Sequence, residues 1–83
     1  MNNKHHKTLK AVMQHPVKAN IKWSDIESML VALGADIEEH AGSRVCFSLN
    51  GVDAVFHRPH PRIEAGRGMV RSVQGFLKSA GVL

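Results

Sequence analysis

Hydrophobic and polar positions alternate most regularly between Arg44 and Pro61, in the stretch RVCFSLNGVDAVFHRPHP. Val45, Phe47 and Leu49 interleave with Arg44, Cys46 and Ser48, and Val52, Ala54 and Phe56 interleave with Asp53, Val55 and His57. Asn50-Gly51 separates the two runs. This pattern predicts a β-hairpin closed by a type I′ turn, because both central residues of that turn need positive φ. A two-residue loop also sets the register. Leu49 then faces Val52, Ser48 faces Asp53, Phe47 faces Ala54, Cys46 faces Val55, Val45 faces Phe56 and Arg44 faces His57. Because side chains alternate between faces, Val45, Phe47, Leu49, Val52, Ala54 and Phe56 are expected to form the core side. Arg44, Ser48, Asp53 and His57 belong to the other side.

The helical period appears elsewhere. His6 to His15 carries Leu9, Val12 and Met13 on one face, and His15-Pro16 should end that helix, since the residue before proline avoids the α region. Ile21 and Trp23 are expected to pin the following connector to the core. Ser24 and Glu27 have capping-box spacing, and Ile26, Met29, Leu30 and Leu33 follow as a buried stripe. Gly34 closes that helix. Ala35 to Glu39 reads as a short strand with Ile37 inward and Asp36 and Glu38 outward. Gly42-Ser43 is a tight turn into the hairpin. Pro59 and Pro61 end the sheet, and Glu64 to Gly68 reads as a polar loop. Met69, Val70, Val73, Phe76, Leu77 and Ala80 then define a last helix that ends at Gly81. Its opposite face carries Arg67, Arg71, Gln74 and Lys78.

The predicted order is α-α-β-β-β-α. It implies an α+β two-layer sandwich, a three-stranded antiparallel sheet with helices on one face. One domain is expected over 1–83, with 1–20 as a helical extension and 21–83 as the core.

Composition narrows the function classes. The chain has 83 residues, 43% of them hydrophobic, an ordinary balance for a globular domain. No apolar run approaches membrane-spanning length and the N-terminus lacks the apolar core of a signal peptide. The one cysteine, Cys46, cannot form an internal disulfide, which fits a reducing cytoplasm. Eleven Lys and Arg against seven Asp and Glu leave a charge of +4, which favours a polyanionic partner. No structural zinc spacing is present among the six histidines, and no metal or cofactor is expected.

The candidate chemistry follows from the hairpin register. A guanidinium and an imidazole side by side on a wet sheet face can handle a phosphate.

The segment from about Trp23 to Leu83 resembles the HicA-type toxins of bacterial toxin–antitoxin modules. The features that carry the likeness are Leu33-Gly34 before a short strand, Gly42-Ser43 opening the hairpin, Asn50-Gly51 at its turn, His60-Pro61, and an Arg71-containing helix ending in Leu77-Lys78-Ser79-Ala80-Gly81-Val82. The resemblance implies a fold like that of double-stranded-RNA-binding domains. It also implies a metal-independent endoribonuclease acting on messenger RNA, and a HicB-type antitoxin as protein partner. Typical members place a catalytic histidine just after the Gly-Ser, where this chain has Arg44. The metal-free RNA cleavage that the resemblance implies needs a base for the 2′-hydroxyl, an acid for the leaving 5′-oxygen and a cation for the phosphorane. For that reaction Arg44 suits the last role because its planar fork matches a phosphate. His57 suits a proton role, and His60 and His40 are candidates for the second. With RNA as the implied substrate, Ser43, Arg58, Arg62, Arg67, Arg71 and Lys78 are candidate RNA contacts. A non-catalytic RNA-binding module of the same fold is the alternative expectation.

Overall fold

The computed structural model describes residues 1–82; Leu83, the last residue of the expected 21–83 core, lies outside them. Along the chain run α1 (Asn3–Val12), β1 (Ile21–Lys22), α2 (Trp23–Ala32), β2 (Asp36–Glu39), β3 (Arg44–Leu49), β4 (Val52–His57), β5 (Glu64–Ala65) and α3 (Arg67–Ser79). The fold is mixed α+β, with three helices and two small antiparallel sheets.

The larger sheet has the order β2-β3-β4. All six hairpin pairs stand as the turn requires, from Leu49 opposite Val52 to Arg44 opposite His57. Asn50 and Gly51 take φ of 52° and 82°, the left-handed values a type I′ turn demands. The Asn50 side chain has a second task. Its Nδ2 donates to the Ala80 carbonyl at 2.7 Å and ties the hairpin tip to the end of α3.

Val45, Phe47, Leu49 and Phe56 are buried on one side of this sheet. The helices cover that side: Phe47 meets Trp23 at the start of α2 (centroids 6.4 Å apart), and Phe56 meets Phe76 of α3 (6.1 Å). Edge-to-face rings of this kind add attraction beyond burial alone. Ile26, Met29 and Leu30 of α2 and Val70, Val73 and Leu77 of α3 complete the core.

The structure corrects several local expectations. α1 begins at Asn3, earlier than His6, because the Asn2 side chain caps it by accepting from the His5 amide at 2.9 Å. Trp23 is already helical and Lys22 occupies the N-cap, so Ser24 and Glu27 make no capping box. Ile37 opposes Phe47 but is 42% exposed, since β2 is an edge strand that extends past the helical cover. The expected polar loop contains β5, which pairs with β1 through Ile21–Ala65 and Lys22–Glu64. Gln74 is not on a solvent face. It is buried, and its Nε2 donates to the Val12 carbonyl at 2.7 Å. That bond satisfies one of the carbonyls a helix end leaves free. With Val12 fully buried as well, α1 packs into the same core as α2 and α3.

Candidate active site

The open side of the larger sheet is organised in rows. At the hairpin tip stand Asp36, Ser48 and Asp53, with Ser48 Oγ donating to Asp53 Oδ1 at 2.6 Å. Glu38, Cys46 and Val55 form the middle row. Arg44 and His57 form the third. His40 joins them: its amide donates to the Arg44 carbonyl at 3.0 Å, which extends the β2–β3 register by one residue. Its Nε2 lies 3.9 Å from Glu38 Oε1, which places the ring on the open side beside Glu38. Three strands thus deliver His40, Arg44 and His57, in that order, across one end of the sheet.

Pairing type brings two of these close. The Arg58 amide donates to the Ser43 carbonyl at 2.8 Å, so Ser43 and Arg58 are a hydrogen-bonded pair. Arg44 and His57, one step further in, are then a non-hydrogen-bonded pair, with Cα atoms about 4.5 Å apart and side chains closer than at bonded positions. His40 and His57 flank Arg44 at one strand spacing each, so their backbones are about 10 Å apart.

Arg44 is exposed, and its Nε donates to the Ala41 carbonyl at 3.1 Å. That bond steadies the arginine and leaves its two Nη groups for a ligand. Among the described residues it takes part in no salt bridge. On the open face the carboxylates of Asp36 and Asp53 stand at the tip and that of Glu38 in the middle row, while the Arg44 guanidinium belongs to the third row.

The remaining candidates lie elsewhere. His60 lines a 490 Å³ cleft with Asn20, Arg62, Glu64 and Arg67, outside the row. It follows His57 by three residues, so at most about 11 Å of chain separates them. Ser43 is exposed in the turn before Arg44. Arg71 and Lys78 are exposed on α3, the helix that packs against the other side of the sheet. Among the described residues no group of three or more His, Cys, Asp and Glu side chains converges to hold a metal.

Arg58, a candidate RNA contact in the sequence, is engaged by two carboxylates. It points to the helical side, where Glu27 takes its Nε at 2.7 Å and its Nη2 at 3.2 Å, and Glu39 takes its Nη1. Glu27 also accepts the Trp23 indole N–H. Hydrogen bonds to Glu27 first, then Glu39, raise the Arg58 pKa further above its ordinary value. The residue is a clamp joining α2, β2 and the exit of β4, directly beneath the cationic row. No local signal announces it, because Glu27 and Arg58 are 31 positions apart.

No curated protein matches this chain, and no solved structure does. A family profile described as "HicA toxin of bacterial toxin-antitoxin" matches residues 23–82, which hold α2, the whole hairpin and α3. The match covers well over half of the sequence, so the chain belongs to the HicA toxin family.

Proposed function

We propose that the protein is the toxin of a toxin–antitoxin pair and cleaves RNA without a metal ion, with the row His40–Arg44–His57 as its active centre. The observation that supports this reading is the register, in which Arg44 of the central strand is flanked by His40 and His57 at one end of the sheet. Family membership supports the toxin role and a HicB-type antitoxin as partner. The same membership favours reading α2, the three-stranded sheet and α3 as a layer pair of the double-stranded-RNA-binding kind.

Each group has a task. His57, unprotonated, takes the proton from a ribose 2′-hydroxyl, and the 2′-oxygen attacks the adjacent phosphorus. Arg44 holds the non-bridging oxygens bidentately as negative charge builds on them. His40, protonated, donates to the departing 5′-oxygen. The products are a 2′,3′-cyclic phosphate and a free 5′-hydroxyl. The geometry favours His40 over His60 for the acid, because only His40 shares the row with Arg44 and His57. Arginine at the position that family resemblance gives to histidine is therefore a redistribution of roles among neighbours.

The test is incubation of the purified protein with RNA in EDTA. Cleavage to cyclic-phosphate ends is expected, and His57→Ala should slow it by about 100- to 10,000-fold, the usual worth of a positioned general base. Binding without cleavage by the unmodified protein would establish the second reading, an RNA-binding module. Arg44 in place of the family's usual histidine is the feature that favours that alternative.

A further inference from the structure

Two grooves away from the sheet's open face share one residue, Asn20. The first, of 330 Å³, runs between α1 and β1 and is lined by Lys7, Lys18, Lys22 and Asp25 among others. The second is the 490 Å³ cleft lined by Arg62, Arg67, His60 and Glu64. At the seam, Asn20 takes a left-handed φ of 63°, donates its amide to the Ala65 carbonyl at 3.1 Å and accepts from Arg62 Nη2 at 3.3 Å. Its side chain therefore sets the direction of Arg62, and its backbone locks the two grooves to each other through β5.

The charge is one-sided. Lys7, Lys18, Lys22, Arg62 and Arg67 are all exposed, and among the described residues none of them is in a salt bridge. Two carboxylates line the grooves: Asp25, which is bridged by Lys4 at 3.5 Å, and Glu64, opposite Lys22 in the β1–β5 pair. Five cations outside any salt bridge among the described residues, lining two grooves that meet at Asn20, match a regularly charged chain better than a small ligand. An extended nucleic-acid backbone supplies one anion per residue at regular spacing. The second groove is lined by His60, three residues after His57, so at most about 11 Å of chain separates it from the row.

We infer that these grooves form one backbone-binding track for single-stranded RNA, entered from the His40–Arg44–His57 row and completed by lysines that all precede Trp23. This inference rests on RNA being the substrate. It assigns a role to the residues outside the family match at 23–82: Lys7, Lys18 and Lys22 grip phosphates that the matched segment alone does not reach.

The experiment measures affinity for a short fluorescein-labelled, 2′-O-methylated RNA across a salt series. The unmodified protein is compared with the triple variant Lys7→Gln, Lys18→Gln, Lys22→Gln. Each lost phosphate contact reduces the steepness of log K against log salt by about 0.7 for a single strand, so the triple variant should be shallower by about 2. Its thermal melting should be unchanged, since all three side chains are exposed. A variant that keeps the full slope, while the unmodified protein still binds and cuts RNA, removes the track and leaves the nuclease standing. A variant that keeps the slope for RNA but loses binding to polyglutamate assigns the grooves to an acidic protein and also overturns the inference. Absence of salt-dependent RNA binding by the unmodified protein overturns both the track and the nuclease.

Discussion

Arg44→Ala is expected to lower RNA cleavage by roughly 100- to 1,000-fold, the scale on which one preorganised donor to a developing oxyanion contributes. Stability should barely change, because surface substitutions of exposed groups stay within about 0.5 kcal/mol and Arg44 makes a single side-chain bond, to the Ala41 carbonyl. The loss should be mainly in turnover and less in binding. In the proposed reaction several cations attract the backbone, but Arg44, flanked by His40 and His57 in the strand register, is assigned to the charge that builds on the phosphorane. Arg44→Lys should recover part of the activity, since a point charge remains while the bidentate fork is gone. Single-turnover cleavage at saturating protein separates these effects from affinity.

Phe47→Ala should have the largest effect on the fold. Phe47 is fully buried in the central strand and touches Trp23 and Phe56, with centroids 6.4 and 6.0 Å away. Truncating a buried phenylalanine costs about 3–5 kcal/mol through lost transfer energy and the cavity left behind. A domain of this size has only about 4–12 kcal/mol in total. The melting temperature should fall by about 15–30 °C, at several degrees per kcal/mol, and part of the population should be unfolded under mild denaturant. Val55→Ala is the matched control. Val55 lies on the opposite face of β4 and is 55% exposed, so its truncation should shift the midpoint very little. Equal effects at the two positions would contradict the two-faced sheet. Urea denaturation followed by Trp23 fluorescence reads both, because the indole sits against the ring that is removed.

What the sequence made legible was the part fixed by local rules. The Asn50-Gly51 turn determines every pair in the hairpin, and it alone makes Arg44 and His57 neighbours. The apolar stripes of α2 and α3 follow from helical spacing in the same way. What stayed hidden is what distant residues settle. β1 and β5 are two residues each, too short to show alternation, and exist because Ile21 and Ala65 meet across 44 positions of chain. Gln74 sits among Arg67, Arg71 and Lys78 on a helical wheel, and only the arrival of Val12 turns it from a solvent residue into a buried one. Glu27 has capping spacing, yet its carboxylate is claimed by Arg58 and the Trp23 indole.

The candidate site divides along the same line. Arg44 and His57 come from one hairpin and were readable as neighbours. His40 was readable as a nearby histidine, but its place in the row depends on β2 pairing with β3 one residue beyond the strand's end. Arg58 looked like one more cation beside the site. Its two carboxylate partners make it the support under the row, and they lie in α2 and β2, outside any motif that contains it.

The proposed sharing of one phosphate by His40, Arg44 and His57 is tested most directly by imidazole NMR during titration with a 2′-deoxy-blocked RNA, which lacks the attacking hydroxyl. The side-chain resonances of His40 and His57 should move together and saturate at the same RNA concentration, and Arg44→Ala should abolish both movements. If either imidazole stays in place while RNA is fully bound, the three residues do not form a common centre.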